Sequence, residues 1–321
     1  MGNAELAPMG PTLSADSLSN PSPATGSSSS GERAILPQSG DGCGCGGQCS
    51  CSEKRSAEGL PKPPSFIYAI GSIHARFPNL GLEKEFAQAT GRMDSRGIAD
   101  RALLHELLAR TENRYIARQM CFILTIEGLD TYLLAPQDST DLELLIQSLR
   151  EESNVFDLDV VIGRRGPIAP LQLCNGVMLP IVFVNQVYSF DRKRFIDSIP
   201  LPPSVPKGQA AQFRTVADDV LSRIMQLADN AGASDDHRAL NYLAVRYSAM
   251  YAQSVRQNQA GSSLSYVETK PSRLSGPRRV VDVILSFTMR DTGVVEKVFV
   301  RVDVTDEFPF LVTPLQPYFD R

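Results

Sequence analysis

Residues 280–304 constrain the fold more tightly than any other stretch. In "VVDVILSFTMR", Val281, Val283, Leu285 and Phe287 alternate with Asp282, Ser286 and Thr288. In "VVEKVFVRVDV", Val298, Val300, Val302 and Val304 alternate with Lys297, Arg301 and Asp303. Side chains on a strand point to opposite faces with a period of two, so each stretch has one apolar and one polar face. Asp291-Thr292-Gly293 between them carries turn chemistry. The pair predicts an antiparallel hairpin with one buried and one wet face, in a register that a one-residue slip would ruin.

Helical and extended patterns precede it. "SFIYAIGSIHARF" places Phe66, Tyr68 and Ile70 on one strand face after the stop "PKPP". "LEKEFAQATGR" and "IADRALLHELLAR" read as helices, the second with Ala99 or Ile98, then Leu103, Leu107 and Leu108 at helical spacing. "RYIARQMCFILTIEGLDTYLLAP" starts like a helix and continues as β-formers, with a turn expected at Gly128-Leu129-Asp130. In "DSTDLELLIQSLR", Ser139 or Thr140 can cap a helix whose stripe is Leu142, Leu145, Ile146 and Leu149. "FDLDVVIGRRGPIAP" and "MLPIVFVNQVYSF" are β-rich, and "DRKRFIDSI" is a short helix stopped by "PLPPSVP". Two longer helices follow, "FRTVADDVLSRIMQLADN" and "DDHRALNYLAVRYSAMYAQSVRQ". This order predicts an α+β fold: mixed β segments with amphipathic helices and a C-terminal antiparallel β-hairpin.

Three regions result: 1–64, 65–200 and 201–321. The first is rich in Ser, Gly, Pro and Ala and too poor in apolar residues to offset chain entropy, so it is expected to be disordered. The proline cluster near residue 200 is the best internal boundary. With 321 residues and a net charge of -4, Lys and Arg dispersed among Asp and Glu form no basic patch, which argues against a nucleic-acid partner. No signal-peptide pattern and no run of about 18 apolar residues is present, so no membrane partner and a cytoplasmic location are expected. "MGNAEL" has Leu6 where myristoylation requires Ser or Thr. A homo-oligomer is left open.

Four cysteines, Cys43, Cys45, Cys49 and Cys51, crowd into "GDGCGCGGQCSC". Four thiolates can complete a tetrahedral zinc shell, making zinc the one cofactor to consider. The C-x-C-x3-C-x-C spacing lacks the separated C-x2-C pairs of zinc knuckles, so an unbound or incidentally metal-binding linker is the leading reading, ahead of a true metal site and of a thiol redox or modified-peptide role. Cys121 and Cys174 sit in apolar surroundings and read as free buried thiols, poor candidates for a disulfide. His74, His105 and His237 show no i,i+4 metal spacing. In "ASDDHRALNY", capping by Ser234 with Asp235 and Asp236 favouring the helix dipole stands against a polar binding site at His237 and Arg238. "IGRRGP" reads as an exposed turn in which Arg164 and Arg165 can hold a peptide carboxylate or acidic side chains, with a solvated turn as the plain alternative. It lacks the Lys and Ser/Thr of a phosphate loop.

Several segments together, "FIYAIGSIHARFPNLGLEKEFAQATGR", "ENRYIARQMCFILTIEGLDTYLLAP", "DLDVVIGRRGPIAP", "CNGVMLPIVFVNQVYSFDR", "ADNAGASDDHRALNYLAVRY" and "FVRVDVTDEFPFLV", resemble the C-terminal domain of unknown function of the cyanobactin maturation proteases PatA and PatG. The resemblance spans about residue 65 to the end. Those proteases carry a subtilisin-type domain, and PatG-like ones can carry a flavin oxidase; neither the Gly-Thr-Ser-Met type nucleophile segment nor a Gly-rich flavin motif is present here. The resemblance therefore implies an accessory domain in the biosynthesis of ribosomally made, modified peptides. It transfers no catalytic role. The expected function is non-catalytic binding of a precursor peptide or of peptide-tailoring enzymes; the alternative is a metal- or thiol-dependent tailoring enzyme.

Overall fold

The computed structural model describes residues 65–91, 101–149, 157–201, 207–226 and 229–319. Strands β1 (Phe66–Arg76), β2 (Cys121–Ile126), β3 (Leu129–Ala135), β4 (Leu158–Ile168) and β5 (Pro180–Phe190) close into a barrel in the order β1-β2-β3-β5-β4. All pairings are antiparallel except β3 with β5, where Leu133 faces Ile181. A parallel pair needs a crossover. Helix α4 (Ser139–Ser148) and β4 lie between the two partners in the chain.

Alternation along the barrel strands feeds two cores. Ile67, Ala69 and Ile73 join Phe122, Leu124, Leu134, Val161 and Val182 in one, together with residues of α1 (Leu80–Ala89), α2 (Arg101–Ala109) and α4 such as Phe86, Leu108 and Leu145. Tyr68, Ile70, Val160 and Ile162 point the other way, as period-two geometry requires. They meet α5 (Arg192–Ser198), α6 (Ala210–Met225), α7 (Asp235–Arg246) and α8 (Ser248–Gln259), and a sheet of β6 (Ser262–Pro271), β7 (Val280–Met289), β8 (Val295–Asp303) and β9 (Phe310–Pro317) in that order. The single-turn α3 (Arg114–Ala117) leads into β2. Eight α-helices and nine strands among the described residues give the expected α+β class. None of these helices is long and apolar enough to cross a membrane.

The predicted hairpin forms as β7 and β8 with Val283 opposite Val300, and Val281, Val283, Leu285, Phe287, Val298, Val300, Val302 and Val304 all buried. Other details differ. The turn before β3 is Glu127-Gly128, both at positive φ, so Leu129 already belongs to the strand. Asp138, one residue earlier than predicted, caps α4 by accepting from the N–H groups of Thr140 and Asp141. The long helix predicted over 235–257 breaks at Tyr247, whose ψ of 83° is not helical. The proline cluster near residue 200 separates no cores: Tyr68 and Val160 pack with Leu221 and Val300, and Pro61–Arg321 is one compact unit.

Candidate functional site

The "IGRRGP" segment is part of β4 rather than a turn. Its backbone continues to pair with β5, Gly163 opposite Val184, Arg164 opposite Phe183 and Arg165 opposite Val182, with register shifts on either side. Glycine is required at 163, because a Cβ there would lie 2.2 Å from the Phe183 carbonyl oxygen. The irregular strand turns both arginines outward, and with Gln137 and Phe183 they line an open cavity of about 360 Å³.

Arg164 donates from Nη2 to Gln137 Oε1 at 3.1 Å. Gln137 is itself held, its side chain donating to the Val184 carbonyl and its backbone N–H to Asp141 Oδ2. Neither Arg164 nor Arg165 pairs with a carboxylate among the described residues. Beyond them, the connection from β4 to β5 exposes Leu171, Leu173 and Met178, next to exposed Ile168 at the strand end. Isolated exposed apolar residues are ordinary; four on one hairpin end beside two unpaired cations are a surface with a chemical character.

That apolar end is firmly supported. Cys121 and Cys174 form a disulfide with Cα atoms 6.0 Å apart, contrary to the expectation of free thiols, because the loop after β4 folds back over the start of β2. Ala169, Ile123 and Leu133 complete a small core around the bond, with Val177, Leu179 and Ile181 packed against it. Backbone bonds from Ala169 to Leu179 and from Val177 to Cys174 close the loop.

At the start of α7 the backbone of His237 takes part in the cap, while the side chain of Arg238 is committed to the 304–307 segment. Ser234 caps α7 by accepting from the His237 N–H, and Asp235 and Asp236 occupy the first turn. Arg238 is only 1% exposed, and its guanidinium donates to the carbonyls of Val304 (2.6 Å), Asp306 and Glu307. It also lies 5.3 Å from the Phe66 ring centroid. Burial, aided by the nearby charge of Arg279, pushes its pKa down to about 10, so it remains a cation at neutral pH. Arg238 is thus a buried tie for the 304–307 segment and unavailable to a ligand. Burial also holds the His237 imidazole below its ordinary value, with Asp236 and Asp229 opposing, which favours the neutral ring. Phe66 links the two regions: its ring touches Arg238 and its backbone is the register partner of Arg164.

Cys43, Cys45, Cys49 and Cys51 lie outside the described residues. Among the described residues no group of three or more His, Cys, Asp or Glu side chains is placed to hold a metal. Two larger cavities, about 650 and 730 Å³, were not legible in the sequence and share Arg192 and Ser222. Arg192 is tied to Asp218 Oδ1 at 2.6 Å and to the Ser222 hydroxyl, so its charge is already compensated.

No curated protein matches the chain. A solved structure described as "PatG Domain of Unknown Function" superposes with a TM-score of 0.65 at 21% identity, over 79% of this chain and 98% of its own length. That is a likeness of fold. The family model "PatG C-terminal" matches residues 207–318, the stretch holding α6–α8 and β6–β9, and neither comparison implies a protease domain. Residues 207–318 are thus similar to the PatG C-terminal family, and the chain has the fold of the PatG domain of unknown function.

Proposed function

We propose that the chain is a non-catalytic accessory protein of cyanobactin-type peptide biosynthesis, and that it docks an acidic, apolar peptide segment on the β4–β5 end. The observation that carries this reading is the pairing of Arg164 and Arg165, which meet no carboxylate among the described residues, with exposed Ile168, Leu171, Leu173 and Met178. Guanidinium groups form bidentate bonds to carboxylates, and an adjacent apolar surface adds affinity through buried area. The disulfide and the small core beneath the loop preorganise that surface, which lowers the entropic cost of binding. The similarity to the PatG C-terminal region supplies the biosynthetic setting.

The test is fluorescence anisotropy with a labelled peptide that alternates Glu with Leu. Arg164→Glu combined with Arg165→Glu is expected to weaken binding by about tenfold or more, and affinity is expected to fall with added salt. Unchanged affinity in a folded double variant, or equal binding of a Lys-for-Glu peptide, rejects the reading.

A further inference from the structure

Another cavity lies where β1 and β4 meet α7 and the segment before β9. It measures about 380 Å³ and is lined by Tyr68, Ile162, Tyr242, Arg246, Phe308 and Pro309. Tyr68 is 2% exposed, and its hydroxyl is buried without a hydrogen-bond partner. Buried hydroxyls in folded proteins are almost always paired, so this one asks for an explanation. The Arg246 guanidinium stands beside that oxygen, where its charge and a loose side-chain contact oppose the effect of burial on the phenol, but it makes no bond of full hydrogen-bond geometry there.

Arg246 has no ion-pair partner among the described residues. It stacks over the Tyr188 ring at 4.9 Å and donates one bond to the Tyr188 hydroxyl at 3.1 Å, which fixes the plane of the guanidinium and leaves other N–H groups free to donate. Tyr242 stands edge-on to Tyr68 with ring centroids 6.4 Å apart. Tyr242 and Arg246 are one helical turn apart on α7, so both face the same way. The charged and titratable groups acting on Tyr68 are Arg246, Tyr188 and Tyr242, with no carboxylate among them. Burial raises the pKa of both Tyr68 and Tyr242, keeping both phenols neutral.

We propose that this cavity binds a terminal carboxylate carried on an apolar residue. Arg246 supplies the positive charge and the Tyr68 hydroxyl a hydrogen bond, while Ile162, Phe308 and Pro309 form the apolar walls. One guanidinium among neutral phenols, with apolar walls beside it, matches a single negative charge on an apolar group better than a phosphate dianion. The site is distinct from the β4–β5 docking surface, and neither proposal depends on the other.

The test uses the full chain and its own fluorescence, since it has nine tyrosines and no tryptophan. N-acetylphenylalanine is expected to bind saturably, and N-acetylphenylalanine amide at least about tenfold more weakly, for want of the charge. Arg246→Gln is expected to weaken the acid by about tenfold or more, and Tyr68→Phe by about threefold to tenfold with no fall in unfolding temperature, because it removes an unpaired buried group. The peptide Ala-Ala-Phe distinguishes the sources of the carboxylate: binding as tight as the acetylated acid assigns a peptide C-terminus, and much weaker binding assigns a small free acid. Equal binding of acid and amide, displacement by equimolar inorganic phosphate, or unchanged affinity in either variant overturns the proposal.

Discussion

Arg238 shows how far a residue's role depends on what closes over it. A charged residue beside two aspartates at a helix start has the composition of a binding site, yet three carbonyl oxygens from 304–307 occupy its guanidinium. Nothing local in the sequence marks those carbonyls, which come from more than sixty residues away. Arg238→Met is expected to lower stability by about 3 kcal/mol, since it leaves the buried Val304 carbonyl unpaired and frees the 305–307 segment, and a shift in the urea midpoint measures it. Gly232 is as strict. At φ 69° its O accepts from the Tyr68 N–H, and an added Cβ would lie 2.3 Å from the Tyr68 carbonyl oxygen. Gly232→Ala should cost more than about 2 kcal/mol, combining backbone strain with a clash against backbone that has no rotamer to adjust. Asp303 provides a pH signature. Burial, the largest influence, raises its pKa, but Arg278 and Thr305 donate to the carboxylate and together hold it below the ordinary value. A depressed folded-state value contributes stability above the unfolded value of about 3.9 and loses it as pH falls through the folded value. Urea midpoints of Asp303→Asn followed into the acid range should therefore fall less steeply than those of the unaltered chain.

At the scale of elements, the β7–β8 hairpin was fully legible because period-two alternation with a buried face admits one register. Val300 is 1% exposed opposite Val283, so Val300→Asp should cost several kcal/mol, enough to unfold or aggregate the protein, while Val295→Asp, on the same strand but at an exposed position, should stay within about 0.5 kcal/mol. Equal stability of the two variants in thermal melts would show the register to be wrong. The break between α7 and α8 was not legible. Apolar spacing continues through Tyr247, and no Gly or Pro marks the change. Its reason is tertiary: Tyr247 turns its hydroxyl to accept the backbone N–H of Leu315 in the edge strand β9 at 3.0 Å. An edge strand with unpaired N–H groups invites pairing with another chain, and this bond occupies one of them. Tyr247→Phe is expected to cost about 1 kcal/mol and to increase aggregation, as light scattering during heating would show.

At the scale of the molecule, the two cores do not correspond to the two segments on either side of residue 200. The outer face of β1 and β4 contributes Tyr68, Ile70, Val160 and Ile162 to a core built mostly from residues after 200. A fragment of residues 61–200 is therefore expected not to fold by itself, and the full chain should lose secondary structure and tyrosine fluorescence in one coincident thermal transition. Two separated transitions would contradict the shared core. The α+β class, most helices and the C-terminal hairpin were readable from the chain, because periodicity, caps and turn residues act within a few positions. The closure of the barrel, the β3–β5 parallel pairing, the Cys121–Cys174 bond, the outward turn of both Arg164 and Arg165, the burial of Arg238 and the cavity at Tyr68 and Arg246 emerge only in the folded chain. Each of these joins groups distant in sequence, and such pairings depend on which apolar faces meet when the whole chain collapses.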